Sequence, residues 1–329
     1  MDRTGIRHIC IAGAGAWGIA LAIHAAGTGA RVTLCARSVP QRLPSGALPR
    51  LPDIPLPQDV RLSSVLPEDA DLILVAVPMQ ALSGFLPLLP DSDVPVVLCC
   101  KGIEQTTLRL PLEVLHDFRP DAGGAVLSGP NFAGEIAAGL PAATVIAGPD
   151  RTQASAIATA LTTPQFRCYA SDDPTGVQIG GAAKNVIAIA AGITTGAELG
   201  ENARAGLITR GLAEISRLAV AAGGRAETLA GLSGIGDLLL TCTGTASRNF
   251  RTGIALGKGF SPEAARQQAG GTAEGVHTCP ALLSLAARHG IRMPVTECVH
   301  AILEGTMTAA TARETLLSRP AGMENGESA

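Results

Sequence analysis

Aromatic side chains are nearly missing from this chain: one tryptophan, one tyrosine and six phenylalanines make up only 2% of its 329 residues. Its core must therefore be assembled from Ala, Val, Leu and Ile, and few rings remain to stack on unpaired bases as they do in single-strand nucleic-acid binders. Charge is scarce as well. Asp, Glu, Lys and Arg account for 16%, and the net charge of -3 offers no attraction toward a phosphate backbone, so no nucleic acid is expected as a partner. With 47% hydrophobic residues, the same scarcity argues against disorder. The six histidines are scattered, none at ligand spacing to another His or Cys, and no metal site is expected. Eight cysteines occur without a CxxC pair, and Cys10, Cys35, Cys99 and Cys100 fall inside apolar runs, which predicts buried free thiols in a reducing compartment. The N-terminus runs into Ile9-Cys10-Ile11-Ala12 without a signal-peptide cleavage site, and the longest apolar stretch, Val186 to Ala197, falls short of the roughly 20 residues that cross a bilayer. A cytoplasmic chain with no transmembrane segment is the expectation.

What is present is organised in two halves. Short apolar, β-branched runs recur at His8 to Ala12, Arg31 to Cys35, Asp71 to Val77, Pro95 to Cys100, Gly124 to Leu127 and Ala142 to Ile146, as parallel strands covered on both faces require. Helical segments, Trp17 to Gly27 and Leu108 to Phe118, lie between them, so the fold class predicted is an α/β N-terminal Rossmann-type doubly wound sheet. Six prolines between Ser38 and Pro57 mark that segment as mostly loop. From about Val177 the β-branched runs stop. Asn202 is placed to cap a helix with an apolar stripe Leu207, Ile208, Leu212, Ile215 and Leu218, ending near Gly223-Gly224. Further helices are expected at Pro262 to Ala269, Pro280 to His289 and Thr296 to Leu303, with a frayed tail from Arg319. The division predicted is a dinucleotide-binding domain over 1–178 and an all-helical C-terminal, substrate-binding domain over 179–329.

Gly13-Ala14-Gly15-Ala16-Trp17-Gly18 follows the first strand and opens the first helix. There Gly13 permits a tight turn, Gly15 lets a pyrophosphate approach the backbone, and Gly18 lets helix and strand pack closely; the helix N-terminus then faces the anion. At the end of the second strand, where an acid would hold the ribose of NAD, stands Ala36-Arg37-Ser38. A guanidinium pairs with a 2′-phosphate, so NADP is favoured over NAD as the cofactor.

Lys184 is the only charged residue between Asp173 and Glu198. An ammonium buried in such a stretch needs a partner or a task, and burial lowers its pKa toward the range useful for proton transfer; the bland alternative is a lysine that snorkels to the surface. Asp237, in Gly234-Ile235-Gly236-Asp237, reads either as a helix N-cap or as an acid that orients the lysine. Ser247-Arg248-Asn249 is a compact set of anion donors in a polar loop, and Lys101-Gly102 ends a buried strand where open α/β sheets bind ligands.

In this order, the motifs GAGAWG at Gly13, KGIE at Lys101, SGPNFAGE at Ser128, GGAAKNVIAIAAG at Gly180, NARAGLITRGLAE at Asn202, GIGDLLLTCTGTASRN at Gly234 and AEGV at Ala273 make the chain resemble bacterial NAD(P)-dependent glycerol-3-phosphate dehydrogenases from about Ile9 to Leu317. The resemblance implies that Lys184 is the proton donor and acceptor, and that Lys101, Gly129, Asn131, Asp237, Ser247, Arg248 and Asn249 surround dihydroxyacetone phosphate or sn-glycerol 3-phosphate. It implies a dinucleotide lined by Ala16, Trp17, Arg37, Lys101, Ala133, Arg248, Thr272 and Glu274, a homodimer, and a role in phospholipid synthesis. Three departures stand out: Ala16 replaces a hydroxyl residue common among relatives, Asn131 replaces Thr, and the proline-rich segment after Arg37 is shortened. Ala16 removes a phosphate hydrogen bond, whereas Asn131 still offers an amide donor. Rivals are another two-domain reductase, such as one acting on ketopantoate or 6-phosphogluconate, and a dinucleotide sensor without turnover.

Overall fold

The structure is a computed structural model that describes residues 5–120, 123–270 and 273–318. Its first half runs β1 (His8–Ala12), α1 (Ala16–Ala26), β2 (Arg31–Cys35), β3 (Ala47–Leu48), β4 (Leu51–Pro55), β5 (Arg61–Ser63), β6 (Leu72–Val75), α2 (Leu82–Phe85), β7 (Val96–Leu98), α3 (Pro111–Phe118), β8 (Gly124–Ser128), α4 (Ala133–Ala137), β9 (Ala142–Ala147), α5 (Arg151–Leu161) and β10 (Phe166–Ser171). Eight strands form one sheet in the order β10-β9-β8-β7-β6-β1-β2-β5. From β1 the chain winds one way to β2 and the other way to β6, so the switch in direction lies at the end of β1. All neighbours are parallel except β8 and β9, so the sheet is mixed rather than wholly parallel. Alternation along the strands builds two cores: Ile9, Ile11, Leu72 and Leu74 face α1 and α5, while Cys10, Ile73 and Val75 face the other side with Met79, Leu82 and Leu115. All eight cysteines are free, with Cys10 and Cys35 in contact at 3.6 Å.

The proline-rich segment is not all loop, because β3 and β4 pair as a two-stranded antiparallel ribbon. Each strand of such a ribbon is an edge, where the missing N–H of Pro52 or Pro55 is tolerated.

The second half contains α6 (Pro174–Gly196), α7 (Glu201–Ala221), α8 (Ala226–Leu229), α9 (Asp237–Thr243), α10 (Arg248–Gly257), α11 (Pro262–Gln268), α12 (Glu274–Arg288), α13 (Pro294–Leu303) and α14 (Ala309–Leu317). Helix α6 is its axis. Asp173 caps it by accepting from Gly176 N at 2.9 Å, and the same carboxylate accepts from Arg225 N and Thr228 Oγ1, fixing where the helix begins. With few rings available, helices meet backbone to backbone: a Cβ on Gly192 would lie 2.2 Å from the Phe250 carbonyl oxygen, and one on Gly253 2.1 Å from that of Ile189. At 23 residues α6 is longer than the apolar stretch suggested and is apolar enough to cross a membrane, yet its apolar window is wholly buried among the other helices.

Several helix starts differ from expectation: α3 begins at Pro111 rather than Leu108, and α13 at Pro294 rather than Thr296. Helix α7 is capped by Gly200 at φ 86°, not by Asn202, because the left-handed glycine makes the reversal that a capping side chain would otherwise stabilise. Helix α12 begins at Glu274 and carries Pro280 internally, so that proline is no start signal. The tail expected to fray lies outside the described residues.

Candidate active site

The carboxyl ends of β1, β2, β7 and β8 lie on one edge of the sheet. At the first, Gly13 has φ 115°, and a Cβ there would sit 2.7 Å from the Ala76 carbonyl oxygen; one on Gly18 would collide with the Gly13 carbonyl oxygen at 1.8 Å. Nothing lies within 4 Å of the same position on Gly15, which is exposed. Two glycines are thus held by the protein's own packing while the middle one faces open space, and no side chain or acidic residue caps the first turn of α1. This is a cradle for an anion, and the arrangement fits the pyrophosphate of a dinucleotide. Gly13 N donates to the Cys35 carbonyl oxygen at 2.8 Å, tying the turn to the end of β2, beyond which Arg37 is exposed. Trp17 and Ala133 meet in a small cluster between α1 and α4. Ala16 opens α1, partly exposed.

Two strands along the same edge, beyond β7, stands a cluster of three charges. Lys184 on α6 is only 8% exposed, and its Nζ donates to Asp237 Oδ1. Lys101, beyond β7, donates to Asp237 Oδ2 at 2.5 Å and to the Gly129 carbonyl oxygen at 3.1 Å. Asp237, fully buried, is the first residue of α9 and serves as the shared acceptor; the cap position is Gly236. Two ammonium groups and one carboxylate leave a net positive charge where substrate oxygens would meet them. Burial pushes the Lys184 pKa down from 10.5 to about 8; the Lys101 charge adds to that fall, and Asp237 opposes it. The small residues before Lys184 make the approach possible. A Cβ on Gly180 would lie 2.7 Å from the Ser233 carbonyl oxygen, and one on Gly181 2.7 Å from Ser128 Oγ.

Asn131 is turned differently from the sequence expectation. The Thr144 hydroxyl donates to the Ser128 carbonyl oxygen at 3.0 Å, so its lone pairs receive Asn131 Nδ2 at 2.9 Å. That donor is therefore in use. The Oδ1 end of Asn131 and the hydroxyl of Ser128 are buried polar atoms without a partner among the described residues.

Ser247-Arg248-Asn249 is a helix start rather than a loop. Ser247 caps α10 by accepting from Phe250 N at 3.2 Å, while Arg248 is exposed at the first position. Asn249 is buried, donating to Asn185 Oδ1 and accepting from Gly275 N, each at 2.9 Å. It thus ties α6, α10 and the start of α12, where Glu274 is exposed. Thr272 lies outside the described residues. Asn185 escaped the sequence reading, as did Thr241, whose hydroxyl donates to the Asp237 carbonyl oxygen at 2.6 Å. A polar neighbour of the lone lysine was the available signal for Asn185; nothing local marked Thr241.

Comparison with known proteins agrees with this geometry. Residues 8–154 match the N-terminal model, and residues 173–314 the C-terminal model, of NAD-dependent glycerol-3-phosphate dehydrogenase. The chain is 52% identical over 317 residues to a glycerol-3-phosphate dehydrogenase [NAD(P)+] of Gluconobacter oxydans, covering 95% of this chain and 97% of that protein. It is 49% identical over 320 residues to a Bradyrhizobium protein of the same name, covering 95% and 96%. The crystal structure of glycerol-3-phosphate dehydrogenase from Coxiella burnetii superposes with a TM-score of 0.89 at 38% identity, covering 95% of this chain and 99% of that one. A ketopantoate reductase of Ralstonia eutropha, at 19% identity and a TM-score of 0.54 over 94% and 99% of the two chains, shares the fold alone. Both halves of the sequence and the arrangement of the strand ends thus lead to one assignment: this chain belongs to the NAD-dependent glycerol-3-phosphate dehydrogenase family.

Proposed function

We propose that this chain interconverts dihydroxyacetone phosphate and sn-glycerol 3-phosphate with NADP or NAD, supplying glycerol phosphate for phospholipid synthesis. The observation that carries the reading is the Lys184–Asp237–Lys101 cluster at the carboxyl edge of the sheet that also carries the glycine turn. Residues 1–178 form the dinucleotide-binding domain and residues 179–329 the substrate-binding domain, each lending residues to the other's ligand, in a cytoplasmic homodimer.

When bound, the reduced nicotinamide supplies the hydride that the ketone carbon accepts. Protonated Lys184 gives its proton to the carbonyl oxygen as negative charge develops there, and Lys101 lends positive potential to the same oxygen. Asp237 holds both ammonium groups in place. In the reverse direction neutral Lys184 takes the hydroxyl proton, a role that a pKa of about 8 suits. Arg248 and the N-terminus of α10, which has no acidic residue in its first turn, hold the substrate phosphate. Gly129, Asn131, Ser247 and Asn249 shape the pocket around it. On the dinucleotide side, Gly13, Gly15 and Gly18 with Ala16 and Trp17 seat the pyrophosphate. Arg37 takes the 2′-phosphate and makes NADP the preferred form; Ala133, Thr272 and Glu274 complete the binding site.

The test is NADPH absorbance with and without dihydroxyacetone phosphate. Oxidation that depends on the ketone is the expected result. Cofactor binding without turnover would assign the chain to sensing, and turnover of ketopantoate in its place would assign it to the rival reductases.

A further inference from the structure

Away from the lysine cluster, the helical half encloses a cavity of about 540 Å³ between the C-terminal part of α6 and helices α7, α13 and α14. Its volume lies within the range of small-molecule sites, roughly 300 to 1,000 Å³. The walls are mostly aliphatic, with Ile193, Leu207, Val299 and Ile302 among them, and among the described residues the charged groups are Arg210, Arg217, Arg313 and Glu214. Glu214 is already committed to the fold, accepting from Val295 N at 2.7 Å and from Thr296 N and Oγ1 at the start of α13. Three guanidinium groups and one engaged carboxyl line the wall, and Arg313 also lies 3.8 Å from Glu314, so Arg217 is the head-group partner on which the charge argument rests. Arg210 and Arg313 are exposed and Arg217 is half-buried, so the positive groups lie toward solvent from the aliphatic floor.

We propose that this cavity is a second ligand site, for a linear amphiphile with an apolar chain and an anionic head. The chain fills the aliphatic floor, where removing apolar surface from water supplies the affinity. The head, carboxylate or phosphate, pairs with Arg217 and its neighbours, a charge-assisted contact that a cationic or uncharged head does not make. Ile193 on the cavity wall follows Lys184 by nine residues on the same helix, about 13 Å along its axis, so occupancy bears on the element that carries the lysine.

Isothermal titration of the full-length chain with dodecyl phosphate, dodecanoate, 1-dodecanol and inorganic phosphate, all below micelle-forming concentration, tests the site. One anionic amphiphile per chain is expected to bind; the better of the two head groups identifies the natural class. Leu207→Trp, which fills the floor, and Arg217→Gln, which removes a head-group partner, are each expected to weaken binding at least about tenfold. Both variants are expected to retain wild-type turnover of dihydroxyacetone phosphate without ligand, which separates this outcome from misfolding. The proposal is overturned if neither amphiphile binds, if 1-dodecanol binds as tightly as dodecyl phosphate, or if folded, active Leu207→Trp binds as well as wild type. Binding that appears only after residues 319–329 are deleted also overturns it, by assigning the cavity to the chain's own C-terminus.

Discussion

Asp237 and Glu214 are both carboxylates in the helical half, 0% and 3% exposed, and the groups that answer them differ in kind. Asp237 is met by two ammonium groups, Lys101 from the sheet half and Lys184 from α6. Glu214 is met by two backbone amides and one hydroxyl, all from the first turn of α13. The first arrangement joins the two halves through protons that can leave; the second fixes one helix on another through dipoles that cannot. Burial pushes the Glu214 pKa up to about 7 and the Lys184 pKa down to about 8, so both groups titrate near neutrality. Perturbation alone therefore does not mark an active site. What distinguishes the two is that Asp237 links Lys184 to Lys101, just beyond the carboxyl end of β7, on the same sheet edge that carries the glycine turn.

The sharpest way to break this contrast is Lys184→Met, which keeps the apolar stem and deletes the ammonium. Turnover is expected to fall by about 10² to 10⁴ with NADPH affinity nearly unchanged, measured by steady-state kinetics and cofactor titration. Retention of more than about a tenth of wild-type turnover would move Lys184 from chemistry to packing.

Next in size is Asp237→Asn, which leaves two ammonium groups without their shared counter-charge. Losing one partner of a buried pair costs about 3–5 kcal/mol, and a denaturant titration at pH 7 reads it. Turnover should fall as well, since the carboxylate that keeps Lys184 protonated is gone.

The matching change at the other site, Glu214→Gln, should leave turnover intact. Its mark is in stability against pH. A carboxyl whose pKa rises on folding contributes stability that is fully present below its unfolded value and is lost as pH climbs through the folded one. Between 4.5 and about 7 wild type should lose about 3 kcal/mol from this group, and the variant should show no such slope. Equal slopes in the two proteins would remove Glu214 as the cause.

The two sites also differ in how far the sequence announced them. The glycine turn was readable because strand, turn and helix lie within 20 residues, and each glycine has a local reason. Lys184 was readable as a lone charge. Its partners were not: Asp237 lies 53 residues from Lys184 and 136 from Lys101, and only folding brings them together. Strand β10 was missed because Phe166 to Ser171 sits at the sheet edge, half of it exposed, with no apolar run to mark it. Glu214 gave no signal at all, since one acid on an amphipathic helix reads as surface until α13 is packed over it.

The central claim, that one proton on Lys184 serves both directions of the reaction, is tested most directly by kcat/KM against pH for ketone reduction and for alcohol oxidation on the same enzyme. With a folded-state pKa of about 8, reduction should be level below that value and fall above it, while oxidation rises through it. Both inflections should vanish in Lys184→Met. Inflections that run the same way in the two directions, or that survive unchanged in the variant, would contradict the account.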